Sequence, residues 1–117
     1  DPTHTEFDDD SSRTVVNVWD AYDDSCTPEC NGGTTGGSST NNDGNGHGSH
    51  CAGTVGGSSV GVAPAANLFG VKVLSDTGSG SFSTILAAMS WVADEAEKRS
   101  NPTVVTMSLG GDNNNNN

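Results

Sequence analysis

Basic residues are scarce in this chain of 117 residues, which has four Lys and Arg residues against fifteen Asp and Glu residues. The formal net charge is −11, and nine of the acidic residues fall within the first thirty positions. Because so few cations cannot neutralise a run of phosphates, we expect neither a nucleic-acid partner nor an anionic membrane surface. The acidity is therefore interpreted as a solvated face of a folded protein.

Long apolar runs are also missing, since none approaches the eighteen residues of a membrane-spanning helix. The hydrophobic fraction is 31%, and sixteen residues are glycine. The length suffices for one small domain with a core, but this composition is thin for a self-sufficient globule. We therefore expect the chain to be part of a larger domain, in which case a signal peptide would not be visible here.

Cysteine is limited to three residues, so at least one thiol is unpaired. Cys26 and Cys30 lie in a polar stretch and could form a local disulfide, which would indicate an oxidising compartment. The sequence does not settle whether they pair.

Periodicity predicts strands and helices in alternation. A β-branched run predicts a strand at 14–19, and nearly continuous apolar runs predict buried strands at 67–74 and 103–108. Helices are predicted from His47 to Gly56 and from about Ser81 to the Asn101-Pro102 stop. A long loop is expected at 20–46, a tight turn at 57–61 and a loop at 76–80. The order favours an α/β fold with a parallel sheet.

The most informative stretch is D-G-N-G-H-G-S-H-C-A-G at 43–53. It contains His47, His50 and Cys51 within five positions, surrounded by glycines that permit sharp turns and close approach. A histidine can act as a base, an acid or a metal ligand near neutral pH. A catalytic histidine, a metal site and an ordinary helix start are therefore the alternatives.

Metal sites fit the spacing poorly. An EF-hand loop beginning at Asp43 would have His47 at its fifth position and Thr54 where a bidentate glutamate is required. A zinc site from Cys26, Cys30, His47 and His50 would have only two residues between its histidines, and no apolar side chain in the sixteen-residue gap between its pairs. A functional histidine at the start of a glycine-rich helix is the favoured interpretation.

These residues resemble the subtilisin-like serine proteases, and most closely the proteinase K branch. The motif D-G-N-G-H-G-S-H-C-A-G-T-V-G-G at 43–57 matches the histidine motif of that family, with Ser49 in place of the usual threonine. Cys51 matches the free cysteine of the proteinase K branch. The resemblance covers residues 4–7, where His4, Glu6 and Phe7 match an H-x-E-F pattern, and about 43–111.

The resemblance implies a three-layer α/β fold, a parallel sheet flanked by helices, of which residues 1–117 would form the N-terminal to middle part of the peptidase domain, truncated at both ends. His47 would be the general base of an Asp-His-Ser triad. The aspartate would precede Asp1, while the G-T-S-M-A serine motif and the asparagine of the oxyanion hole would follow residue 117. Two segments would bind an extended peptide between them: Gly78, Ser79 and Gly80, and Ser108, Leu109 and Gly110.

The sequence thus predicts a secreted, monomeric serine endopeptidase that acts on extended polypeptides and needs no cofactor or catalytic metal. Structural calcium is possible by resemblance alone, since no particular residue here indicates it. The 117 residues by themselves are expected to be inactive. A non-catalytic homologue that binds peptides is the main alternative, and a small zinc module is the least favoured.

Overall fold

The computed structural model describes residues 1–8, 12–22 and 43–111. Two strands and two helices alternate along them: β1 (Val15–Asp20), α1 (His47–Gly56), β2 (Leu68–Lys72) and α2 (Phe82–Glu97). Most of the predicted loop at 20–46, with Cys26 and Cys30, lies outside the described residues. Within the described part of the chain, no helix has the length and apolar character needed to span a membrane.

The two strands form a parallel pair. Val15 lies beside Leu68 and Asp20 beside Lys72, with an irregularity in register between Asn17 and Trp19. Parallel neighbours need a crossover connection, and the connection between β1 and β2 contains α1. The parallel sheet with helices confirms the predicted α/β fold.

The end of α1 is close to the sheet, since Gly56 lies against the side chain of Leu68. The chain then makes the predicted turn, in which the Gly61 amide donates to the Gly57 carbonyl at 2.9 Å. The amide of Ala63 donates back to the Val55 carbonyl at 2.8 Å. These bonds lead the chain directly from α1 into β2.

The N-terminal segment 1–7 is a series of turns attached to this same end of α1. The amide of Ser58 donates to the Glu6 carbonyl at 2.9 Å, and the Glu6 carboxylate accepts the hydroxyl and the amide of Ser59. The hydrogen bond from the Ser59 hydroxyl is the main cause that holds the pKa of Glu6 below its usual value, and the bond from the Ser59 amide adds to it. The Arg13 guanidinium donates to the carbonyls of both Glu6 and Gly56. The segment is therefore fixed to the helix that carries His47.

Helix α2 begins at a side-chain cap, because the Ser81 hydroxyl accepts the Thr84 amide at 3.1 Å. One face packs inward: Ala88 is buried, and the rings of Trp91 and Trp19 lie 5.3 Å apart between centroids. The Arg99 guanidinium, just beyond the helix, lies 4.0 Å from the centre of the Phe69 ring. These contacts attach α2 to both strands.

Several apolar side chains are more exposed than the apolar runs suggest. Phe82, Leu86 and Met89 of α2 are 73%, 62% and 44% exposed, because the packed face of the helix contains Ala88 and Trp91. The predicted strand at 67–74 is shorter than expected and is not covered on both faces, since Phe69 is 40% exposed. In the described residues, two helices pack on a sheet of two strands, and they leave these side chains in contact with water.

Residues 103–108, predicted as a buried strand, form no strand. They are exposed, and Val104 reaches 92%. A strand requires hydrogen bonds to a neighbour, and within the described residues β1 and β2 pair only with each other. The apolar composition of 103–108 is thus compatible with a strand, but the described part of the chain places no partner strand beside it.

The Trp19–Trp91 contact provides a test of this packing. Replacing Trp91 with Ala in the full-length protein should lower the free energy of unfolding by about 2–3 kcal/mol, because a large ring is removed from the junction of β1 and α2. Ser90→Ala, an exposed change on the same helix, should shift it by less than about 0.5 kcal/mol. Denaturant unfolding measures both, and equal values would contradict the packing.

Candidate active site

The start of α1 is held by the carboxylate of Asp43. One carboxylate oxygen accepts the amides of Gly46 and Asn45, at 2.8 Å and 3.2 Å. The other accepts the amide and the hydroxyl of Ser49, at 2.8 Å and 2.7 Å. Amides at a helix start lack partners within the helix, so this carboxylate satisfies donors that would otherwise have none.

The charge of Asp43 is strongly favoured in this position. Burial by itself raises the pKa of the carboxyl, but hydrogen bonds from the Ser49 hydroxyl and from the amides of Gly46, Ser49 and Asn45 outweigh it. The net result is a pKa well below the usual value. The same carboxylate would be the first ligand of the EF-hand alternative, and here it accepts hydrogen bonds from the helix start.

Backbone geometry at the helix start depends on Gly46, which precedes α1 with a φ of 90°. Side chains rarely adopt this left-handed conformation, so glycine suits the position. The next residue is His47, whose amide donates to the Asn45 side-chain oxygen at 3.3 Å. His47 is therefore the first residue of a helix whose start is capped by the side chains of Asp43 and Asn45.

The His47 side chain is exposed, and its Nε2 lies 3.5 Å from the Cys51 thiol one turn further along α1. His50 is also exposed and lies on the same helix. Among the described residues, no group of three or more His, Cys, Asp and Glu side chains could hold a metal ion. The cysteine pair of the zinc alternative lies outside those residues.

The segment 78–80 belongs to a loop that contacts the start of α1. The Asn45 side-chain nitrogen donates to the Asp76 carbonyl at 2.9 Å, and the backbone of Gly44 lies against the Asp76 carboxylate. Lys72, at the end of β2, donates to that carboxylate at 3.1 Å. Because parallel strands direct their carboxyl ends to one edge of a sheet, this loop meets the loop that precedes His47.

The same loop closes with a tight turn. The amide of Gly78 donates to the Ser75 carbonyl at 2.9 Å, and the amide of Ser75 donates to the Ser79 carbonyl at 2.8 Å. Gly78 has a φ of 80°, which again suits glycine. Ser79 and Gly80 are exposed, and a shallow cleft of about 450 Å³ lies beside them, lined by Tyr22, Ser79, Gly80, Ser81 and Thr84.

The second predicted binding segment, Ser108, Leu109 and Gly110, is exposed along its length. The residue after it, Gly111, faces the Phe82 ring: a β-carbon added there would lie 3.8 Å from the ring. Phe82 begins α2 and follows the 78–80 segment by two residues. The two segments therefore adjoin the same end of α2, and 78–80 also adjoins the start of α1.

Sequence reasoning missed the structural part played by Asn45, Asp76 and Tyr22. The sequence analysis gave Asn45 no structural part, although Asp-Gly-Asn-Gly is typical of loops in which Asx side chains bind nearby amides. Tyr22 follows β1, at the edge of the sheet where ligands gather in open parallel sheets, and this signal was available in the strand prediction. Nothing in the sequence marked Asp76.

A family model described as the subtilase family matches residues 1–117. The chain belongs to the subtilase family. It is 56% identical over 75 residues to alkaline serine protease ver112 of Corniculantispora psalliotae, which covers 62% of this chain and 20% of that protein. It is 54% identical over 71 residues to Proteinase R of Parengyodontium album, covering 59% and 18%. It is also 58% identical over 67 residues to alkaline serine exoprotease A of Vibrio alginolyticus, covering 57% and 12%.

These comparisons confirm the resemblance to subtilisin-like proteases, including its proteinase K branch. The matched regions make up a fifth or less of the length of these curated relatives. The site described above is therefore part of a subtilase fold, and the roles of its residues in a whole protein are a matter for proposal.

Acid titration tests the cap in this subtilase. Because the folded-state pKa of Asp43 lies below the unfolded value of about 4, its stabilising contribution is complete above that pH. It is lost as the pH falls through the lower folded-state pKa. The thermal midpoint of full-length Asp43→Asn should thus fall less between pH 5 and pH 2 than that of the unmodified protein.

Asp94→Asn is the matched control, since Asp94 is an exposed carboxylate on α2. Its acid dependence should follow that of the unmodified protein. If Asp43→Asn and Asp94→Asn reduced the fall of the thermal midpoint between pH 5 and pH 2 by the same amount, Asp43 would have no special part in the acid dependence.

Proposed function

We propose that the full protein is a secreted serine endopeptidase in which His47 is the general base. The observation that carries the proposal is the position of His47, an exposed imidazole at a doubly capped helix start, next to the loop that contains Gly78, Ser79 and Gly80. Two relatives named as serine proteases, one from Corniculantispora psalliotae and one from Vibrio alginolyticus, support the reaction class. The proposal includes an extracellular location and action as a monomer.

The chemistry is acyl transfer. His47 takes a proton from a serine hydroxyl as that oxygen attacks the peptide carbonyl, and then returns the proton to the leaving amine. A water molecule then attacks the acyl-enzyme with His47 again as the base, and this releases the acyl group and restores the serine hydroxyl. No metal takes part in these steps, because the proton transfers are carried by the imidazole.

The Nε2 atom of His47 must reach the serine hydroxyl for this transfer. In the structure that nitrogen faces the Cys51 thiol. The ring is exposed, and the second side-chain torsion of histidine is broad, so a rotation exchanges the thiol for the hydroxyl at low cost. In this proposal, Cys51 packs beside the base and takes no part in the proton transfers.

Substrate binding uses exposed backbone. An extended peptide adds main-chain hydrogen bonds to the segment 78–80 on one side and to 108–110 on the other, which provides affinity with little demand on the peptide sequence. Both segments adjoin the N-terminal end of α2, and glycines at 78, 80 and 110 keep side chains out of the way. The contact of the 75–80 loop with Asn45, two residues before His47, supports this arrangement.

Substitution of the two histidines tests the assignment. In the full-length protein, His47→Ala should reduce kcat by a factor on the order of a million, which is the loss known for a subtilisin, a member of this same family. His50→Ala should retain substantial activity, because His50 takes no part in the proton transfers. Hydrolysis of a chromogenic peptide measures both.

Three results would contradict the proposal. Equal losses in the two variants would favour a histidine metal pair. An unmodified protein that binds extended peptides without cleaving them would be a non-catalytic homologue. Full activity in His47→Ala would remove the imidazole from the mechanism.

The 117 residues on their own provide a further test. Their sequence contains no G-T-S-M-A motif and hence no family nucleophile. The isolated chain, prepared without contaminating protease, should therefore not hydrolyse a peptide substrate, as judged by product formation over many hours. Hydrolysis that co-purifies with the chain and disappears in its His47→Ala form would show that another hydroxyl serves as nucleophile.

A further inference from the structure

The Asn45 side chain links the start of α1 to the loop at 75–80, two parts of the site that are far apart in the sequence. Its side-chain oxygen accepts the His47 amide at 3.3 Å, and its side-chain nitrogen donates to the Asp76 carbonyl at 2.9 Å. We propose that Asn45 is a positioning residue that sets the 78–80 substrate segment relative to the His47 helix. This inference rests on the proposed peptidase function.

The amide group of asparagine suits this link because it has a donor and an acceptor on one rigid plane. When the acceptor holds the first amide of α1, the donor direction is fixed. The donor then reaches a carbonyl two residues before Gly78. A β-carbon added to Gly78 would lie 3.8 Å from the Asn45 nitrogen, so the link lies directly against the segment.

Neighbouring polar groups are engaged elsewhere. The Asp43 carboxylate binds amides of the helix start and the Ser49 hydroxyl. Lys72 holds the Asp76 side chain from the end of β2, and also donates to the Leu74 carbonyl at 2.6 Å. These bonds stabilise each loop separately, whereas the Asn45 side chain joins one loop to the other.

The consequence concerns substrates that are long enough to pair with 78–80. Such a peptide needs the segment and His47 at a fixed separation, because its backbone is bound by one while its scissile carbonyl is presented near the other. A substrate that ends before the segment needs only His47 and the nucleophile. Loss of the Asn45–Asp76 bond should therefore affect long substrates selectively.

Asn45→Asp separates the two bonds. A carboxylate oxygen still accepts the His47 amide, but the donor to the Asp76 carbonyl is lost. Asn67→Asp is the matched control: Asn67 accepts the Thr14 amide at 2.7 Å, at the opposite end of β2 from the 75–80 loop, and an aspartate there keeps the acceptor. Asn45→Ala removes both Asn45 bonds without introducing charge.

The experiment uses the full-length protein and two p-nitroanilides with the same C-terminal residue, a single blocked amino acid and a tetrapeptide. Kinetics are measured on the alkaline plateau of the pH profile, where the added charge cannot act by protonating His47. Asn45→Asp should raise KM for the tetrapeptide by about three- to tenfold, the effect of one hydrogen bond, with kcat/KM for the short substrate unchanged. Asn45→Ala should show the same rise and also lose activity on the short substrate.

Equal behaviour of Asn45→Asp and Asn67→Asp on both substrates would overturn the inference while leaving the peptidase function intact. Equal losses on the long and the short substrate would also overturn it, because Asn45 would then act on His47 alone. An unmodified protein that cleaves neither substrate would refute the proposed function, and the inference with it. Asn45 is exposed, so its variants are expected to fold, and a thermal midpoint within about 3 °C of the unmodified protein checks this.

Discussion

The carboxylate of Asp43 is the contact on which the start of α1 depends. Glycine at 44, 46 and 48 leaves this stretch with a large choice of backbone conformations, which opposes order. The carboxylate selects one of them by accepting three amides and a hydroxyl. His47 is the first residue of this helix, so the hydrogen bonds of the Asp43 carboxylate also determine where His47 lies.

The loop after β2 is ordered by a different set of contacts, and the two loops meet because the sheet is parallel. Lys72 at the end of β2 binds the Asp76 carboxylate, while Gly44 and Asn45 contact Asp76 from the other side. The site is thus assembled from backbone and small polar groups at one edge of the sheet. Such an arrangement leaves backbone exposed next to the helix that begins with His47, which is what the proposed hydrolysis of extended peptides would require.

Local patterns predicted the elements more reliably than their burial. The bounds of α1 were predicted as the structure has them, because its limits are set by a glycine-rich start and a glycine pair at its end. The first strand differs by one residue at each end. The stretch 103–108 was wrong, since apolar β-branched residues indicate that a strand can form, whereas pairing requires a neighbour that composition does not reveal. The apolar positions of α2 did not identify its buried face, for a different reason: the helix has apolar residues on more than one face.

The sequence by itself determined the family and the α/β order of elements, and it singled out His47 as the candidate base, because each depends on contiguous residues and their spacing. Only the tertiary structure decided that Asn45 joins Asp76 to the His47 helix, that Tyr22 lines a cleft with Ser79 and Thr84, and that Trp19 packs on Trp91. Those pairs are tens of residues apart in the chain. They meet through the register of two parallel strands, a property of the folded sheet that no local pattern contains.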